Sequence, residues 1–277
     1  MLTLKKKYGV ELAVPSFRGR IEADYQNPEF IRAISDCHNV LNKSSTEILH
    51  EGRNRIGVIR ISGGDREAEE IVVKEFRTRG INKIKSIVLP SKAYKAWRGS
   101  NQLKKCSIQT PVPVAFLEKK RGLFLEQSFF LSGMVRNIEE IRHLFPSLSG
   151  DELSLLLKEL ARFLLYSHQQ GVLHRDLSDG NILVNKDEQG KYVFYLIDTN
   201  RIRKKKRINA LGRVKNLIRL GVPPASQREF LREYLGKERL NNLFWFWYKL
   251  NKKAYSGFIG LKKRLRLKKI AEKLKIQ

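Results

Sequence analysis

Residues 174–181 read His174-Arg175-Asp176-Leu177-Ser178-Asp179-Gly180-Asn181, a polar stretch set between apolar runs. Before it, Leu153, Leu156, Leu157, Leu160, Phe163 and Leu164 recur at the helical period. Ser149 with Glu152 reads as a capping box and Gly171 as a stop, so the spacing predicts a helix that ends just ahead of Val172-Leu173. After it, Ile182-Leu183-Val184 and the run from Tyr192 through Ile197 read as two strands of a hairpin, with a polar turn over 185–191 that contains Gly190. One loop therefore presents a carboxylate, Asp176, and an amide, Asn181, five residues apart. The second strand ends on another carboxylate, Asp198.

These residues fill the H-R-D-L-x-x-x-N pattern of the protein-kinase catalytic loop at every specified place. Five specified residues would coincide by chance in a chain this long about once in ten thousand, which sets aside an acidic surface turn. Phosphoryl transfer asks a protein for positioned charge more than for covalent chemistry. In that pattern Asp176 orients the attacking hydroxyl or accepts its proton, Asn181 holds one magnesium ion, and Asp198 holds magnesium that bridges the phosphates. Upstream, Ile71-Val72-Val73-Lys74 supplies a strand ending on a phosphate-binding lysine, as in V-A-I-K. Gly52 to Val58, with Gly57, is the expected phosphate-covering turn, although it lacks G-x-G-x-x-G. Val58, Val72 and Leu183 are the expected apolar walls around adenine, and the backbone at Leu131 and Gly133 is the expected hinge between lobes. The fold expected is α+β and bilobal, protein-kinase-like, with a strand-rich N-lobe over about 43–128 and a mostly helical C-lobe over about 129–277. Residues 1–42 are expected as an N-terminal extension with a helix near 28–41.

The chain resembles a more particular group, the bacterial lipopolysaccharide kinases of the Kdo/WaaP type. The resemblance runs from about Leu49 to Gly236. It rests on Val73-Lys74-Glu75-Phe76, on Ser91-Lys92-Ala93-Tyr94-Lys95-Ala96-Trp97-Arg98, on Thr110-Pro111-Val112-Pro113-Val114-Ala115, on the catalytic loop, and on Ile197-Asp198-Thr199-Asn200-Arg201. The last segment stands where typical protein kinases have D-F-G. The resemblance implies an ATP-dependent, magnesium-requiring kinase that phosphorylates a sugar hydroxyl of the lipid A inner core, Kdo or heptose.

Two features depart from protein kinases. The helix expected over 91–105 carries no acidic residue to pair with Lys74, which leaves Glu69, Glu70 and Glu75 as nearby candidates. There is no A-P-E motif or phosphorylatable activation segment after Asp198. The chain runs instead into Arg201, Arg203, Lys204, Lys205, Lys206 and Arg207.

The net charge of +27 is concentrated. From Arg201 onward, 24 lysines and arginines face 4 glutamates, a local charge of +20 in 77 residues. Such a region attracts polyanions: phosphorylated lipid A, an anionic membrane surface, ATP or nucleic acid. Over 261–274 leucines recur at helical spacing among cations, the pattern of a basic amphipathic helix that lies on a membrane or packs as a terminal structural helix. Leu243-Phe244-Trp245-Phe246-Trp247-Tyr248 is too short to span a bilayer and reads as a buried helix or an interfacial anchor.

No targeting segment or membrane span is expected, so the chain is read as cytoplasmic, with a peripheral place on the inner face of the cytoplasmic membrane. Cys37 and Cys106 form no C-x-x-C and suit a reducing compartment. The five histidines have no metal-ligand spacing, and His174 reads as a loop-stabilising residue. The same catalytic set would serve a protein Ser/Thr kinase or a soluble small-molecule kinase. A nucleotide-binding pseudokinase is disfavoured by intact Lys74, Asp176, Asn181 and Asp198. A nucleic-acid-binding protein is disfavoured by the absence of a recognisable motif.

Overall fold

The structure is a computed structural model that describes residues 8–35, 37–43, 46–52, 54–63, 66–77, 84–236 and 241–274. Its contacts divide the chain into two compact units, 1–138 with 195–203, and 139–194 with 204–277.

The first unit is built on seven antiparallel strands. These are β1 (Val10–Val14), β2 (Phe17–Ile21), β3 (Glu47–Glu51), β4 (Arg55–Gly63), β5 (Arg66–Glu75), β6 (Pro113–Arg121) and β7 (Phe124–Gly133), in the spatial order β1-β2-β6-β7-β5-β4-β3. Successive side chains point to opposite faces of a strand, and here both faces are covered. On one face Ile71, Val73, Ala115, Leu117, Phe129 and Leu131 pack against two short helices, α1 (Pro28–Ile34) and α2 (Cys37–Asn42), through Phe30, Ile34, Cys37 and Leu41. On the other, Phe76, Phe116 and Phe130 pack against Ala93, Ala96 and Trp97 of α3 (Lys92–Lys105). Covering both faces makes Ile71-Val72-Val73 of β5 and Phe129-Phe130-Leu131 of β7 read as short continuous apolar runs rather than alternating ones. Lys74 belongs to the α3 side, where its ammonium lies 5.3 Å from the Phe76 ring centre. Ser91 caps α3 by accepting from the Tyr94 N–H at 2.9 Å.

Three expectations are corrected here. Residues 1–42 are not a separate extension, because β2 pairs along its length with β6 and Leu12, Phe17 and Ile21 join the main core. The helix expected near 28–41 is two helices, the first ending at Ile34 and the second beginning at Cys37, with Asn27 capping the first by accepting from Phe30 N–H at 2.7 Å. The expected hinge is strand: Leu131 is paired with Val73 on one side and Ala115 on the other, and the Gly133 N–H donates to Val112 O at 2.9 Å. A backbone so engaged in the sheet cannot also serve adenine at Leu131. The lobe boundary drawn at 128 accordingly cuts a strand, and β7 belongs whole to the first unit.

The second unit contains β8 (Glu139–Glu140), α4 (Ile141–Ser147), α5 (Gly150–Gln169), β9 (Val172–His174), β10 (Ile182–Lys186), β11 (Tyr192–Leu196), α6 (Ala210–Leu217), α7 (Gln227–Leu235) and α8 (Asn242–Leu274), the chain passing into the first unit within β11. Strands β11, β10 and β8 form a small sheet in that order. The helix before the catalytic loop is the expected one, and its buried Leu156, Leu157, Leu160 and Leu164 follow the predicted period. Its cap differs: Ser149 makes no side-chain cap bond, and Glu152 instead accepts from Lys186 at 2.8 Å and Tyr192 at 3.3 Å. Of the aromatic run 243–248 only Tyr248 is buried; Leu243 and Phe246 are exposed, because the helix turns one face of the run to solvent.

Candidate active site

In the first unit, β5 carries Lys74 to the α3 side of the sheet, and the segment after β11 brings Asp198 to it. The Lys74 ammonium donates to Asp198 Oδ1 at 2.8 Å, with both side chains about four-fifths buried (19% and 22% exposed). The sequence-adjacent glutamates are engaged elsewhere: Glu70 with Arg60 and Arg136, and Glu75 with Arg77. Asp198 adopts a left-handed backbone (φ 53°), tolerable for Asp, and accepts from Asn200 Nδ2 at 3.2 Å.

Asp198 is fixed by its neighbour. Thr199 is 3% exposed; its hydroxyl donates to Ala96 O at 3.0 Å and shares a 2.9 Å hydrogen bond with Ser100 Oγ, both on α3. Gly99 makes this docking possible, since a Cβ there would collide with the Thr199 carbonyl. From the other side, Thr110 donates to Leu196 O at 2.8 Å and the Leu196 N–H donates to Gln109 O at 3.0 Å. In place of an acidic residue, α3 brings cations toward this segment. Burial first, then Arg203, Arg98, Lys92 and Arg201, hold the Lys95 ammonium below the usual lysine range.

In the second unit, residues 174–181 form the loop between β9 and β10. The Asp176 N–H donates to His174 Nδ1 at 3.2 Å, and Asn181 Nδ2 donates to Asp176 O at 2.7 Å and to Ser178 Oγ at 3.2 Å. The Asn181 amide nitrogen thus ties the loop, and its side-chain carbonyl oxygen is a hard donor type. His174 is buried and loop-stabilising, as expected, and it is mounted on a network that leaves no local pattern in the sequence. His174 O accepts from Asn216 Nδ2 at 2.9 Å, and Asn216 Oδ1 accepts from His168 Nε2 at 3.0 Å. The other ring nitrogen of His168 accepts from the Tyr234 hydroxyl at 2.6 Å. Burial above all lowers the His168 pKa, to about 4, and burial raises that of Tyr234, so both are neutral at pH 7. Asp176 itself forms an ion pair with Arg219, a residue that sequence reasoning passed over.

The nucleotide-side expectations fare unevenly. Val58 and Val72 are directly opposite on β4 and β5, in one row with Ser132 of β7. Leu183 lies on β10, paired with Glu140. Gly52 is in the turn between β3 and β4, whose Arg53 lies outside the described residues. Gly57 is inside β4, and the space of its missing side chain is taken by Leu41 and Thr46, so packing accounts for this glycine. Among the described residues no group of three or more His, Cys, Asp or Glu side chains converges as a metal site. Magnesium sites in phosphotransferases use one or two protein oxygens together with phosphates and water. The donor types fit, a carboxylate at Asp198 and an amide oxygen at Asn181.

An ammonium paired with a carboxylate, an asparagine-tied H-R-D-L loop and this strand and helix order define a kinase-type phosphotransferase. The model of the lipopolysaccharide kinase (Kdo/WaaP) family matches residues 64–233, more than half of the chain, and the chain belongs to that family. No curated protein matches it. Among solved structures, "WaaP in complex with acyl carrier protein" is similar to it, with 17% identity, a TM-score of 0.53, and coverage of 87% of this chain and 97% of that one. That likeness gives the fold, kinase-like and of mixed helix and sheet. Members of the family are kinases, and this chain is one of them.

Proposed function

We propose that the enzyme transfers the γ-phosphate of ATP, with Mg²⁺, to a sugar hydroxyl of the lipopolysaccharide inner core, on Kdo or heptose. The observation that carries this reading is the Lys74–Asp198 pair, a phosphate-binding cation held against a metal-binding carboxylate. Lys74 contacts the donor phosphates, and Asp198 and Asn181 hold magnesium, which neutralises charge on the transferring group. Asp176 hydrogen-bonds the acceptor hydroxyl and takes its proton as the oxygen attacks the γ-phosphorus; the bond to the β-phosphate oxygen breaks and ADP leaves. Val58, Val72 and Leu183 line the adenine, and Gly52 lies in the turn that covers the phosphates.

The partner is an anionic membrane surface bearing the lipid-linked acceptor. Among the described residues no helix is long and apolar enough to cross a membrane. Along α8, Leu243, Phe246, Leu250, Phe258, Leu261 and Leu265 are all exposed. At 100° per residue they fall on one stripe, with Lys249, Lys253, Lys262 and Arg264 beside it. The helix continues to Leu274, the side chains from 266 onward lying outside the described residues. Mass spectrometry of lipid A–core material from cells with and without the gene tests the assignment: one phosphate is lost from the core in its absence, and an unchanged core overturns it.

A further inference from the structure

The ion pair on Asp176 brings in a residue with no place in the H-R-D-L pattern. Arg219 follows α6, in a loop anchored on both sides. Lys252 of α8 donates to Leu220 O at 2.7 Å and Ile218 O at 3.4 Å, the Gly221 N–H donates to Asp179 Oδ1 at 3.1 Å, and Leu220 and Val222 are buried. The mount therefore ties Arg219 to the catalytic loop through Asp179 and to α8 through Lys252. Its guanidinium has five donors in a fixed fork. One nitrogen, Nη1, faces Asp176, and Nε donates to Tyr255 Oη at 3.1 Å, the Tyr255 ring centre lying 5.2 Å from Cζ. The side chain is 32% exposed and that of Asp176 27%, so a ligand reaching Asp176 also reaches the fork.

A neutral acceptor can be oriented by Asp176 with or without a cation beside it. An anionic acceptor does need one, because Asp176 alone would repel it. We propose that Arg219 recognises an anionic group, a carboxylate or a phosphate, that the acceptor carries next to the hydroxyl presented to Asp176. In the absence of acceptor, Arg219 and Asp176 neutralise each other. The acceptor's anion then engages the remaining donors of the fork, the kind of bidentate oxyanion contact for which arginine is suited and lysine is not. This deepens the sugar-kinase reading and rests on it.

The test uses full-length enzyme, Mg-ATP, and core material from cells lacking the gene in three forms: untreated, methyl-esterified at its carboxylates, and phosphatase-treated. Wild type is expected to lose about ten- to hundredfold in kcat/KM on whichever treatment removes the recognised anion. Arg219→Gln should lose a similar factor on untreated acceptor and little more on the treated one, with the change mainly in KM; Arg219→Lys should recover part of it. ATP affinity, measured in parallel, reports that each variant is folded, and Arg219→Lys serves alone if Arg219→Gln is not. Equal wild-type rates on all three acceptors, or the same proportional loss in the variants on each, overturns the role given to Arg219. Phosphorylation of none of the three by wild type overturns the sugar-kinase reading instead.

Discussion

Lys74 and Asp198 lie 124 residues apart in sequence and 2.8 Å apart in the fold, each being the other's charge partner. The glutamate that a protein kinase would offer from the neighbouring helix is absent, and Asp198 takes over that ammonium. Removing the carboxylate therefore takes away the proposed magnesium ligand and leaves a mostly buried lysine without its charge partner. Asp198→Ala should lower metal-dependent turnover at least about a thousandfold, since the metal supplies much of the charge neutralisation. Steady-state ADP release over a magnesium titration measures it, and turnover within tenfold of wild type contradicts the role.

Docking of the Asp198 segment depends on Gly99 and Thr199. Thr199→Val removes the donor to Ala96 O and strands the buried Ser100 hydroxyl, at a cost of about 1–3 kcal/mol. Gly99→Ala should cost at least as much, because the obstacle is the rigid Thr199 backbone. Denaturant unfolding at constant m-value compares the two with wild type, and a neutral Gly99→Ala would contradict the packing described.

The catalytic loop was legible because its chemistry is contiguous: Asp176 and Asn181 must share one loop, and apolar strands bracket it. Lys74 was legible as the end of an apolar strand. Its partner was not, because an ion pair closing over 124 residues leaves no local pattern. The same limit hid Arg219, which meets Asp176 from 43 positions away, and the Asn216–His168–Tyr234 network, whose members read as ordinary helix residues. The hinge was misplaced for a different reason. Over Phe129-Phe130-Leu131, covered on both faces and paired on both edges, β7 shows no alternation, and Ser132-Gly133 follow as a turn would, so Leu131 in mid-sheet looked like a connection. In the N-terminal segment, β1 and β2 are too short for their period to stand out, although Leu12, Phe17 and Ile21 belong to the core.

Acid should act through His168. Its folded-state pKa, about 4, lies below the ordinary 6.5, so the unfolded chain binds the proton first as pH falls. Stability is then fully present above about pH 6.5 and declines toward pH 4, by about 3 kcal/mol in all. Urea unfolding across this range gives the slope. His168→Gln should flatten it while lowering stability at pH 7; a slope unchanged in the variant would remove His168 as the cause.

Membrane attachment should need both charge and apolar surface on α8. Replacing Phe246, Phe258 and Leu261 with glutamine should release the protein from anionic vesicles at low salt. Replacing Lys262, Lys263 and Arg264 with glutamine should make binding weaker and less salt-sensitive, each cation contributing about 1 kcal/mol near the surface. Co-sedimentation reads both, and equal wild-type binding to neutral and anionic vesicles contradicts the attachment.

The most direct measurement of the central claim follows labelled γ-phosphate from Mg-ATP into unphosphorylated lipid A–core acceptor, for wild type and Asp176→Asn, with ATP affinity determined alongside. The expected result is label on the sugar with wild type, and transfer reduced at least about a thousandfold with ATP affinity retained in Asp176→Asn, because in the proposed mechanism that carboxylate contacts the nucleophile and not the nucleotide. Absence of sugar label with wild type, or an Asp176→Asn enzyme that loses ATP affinity while transferring normally per bound ATP, would contradict it.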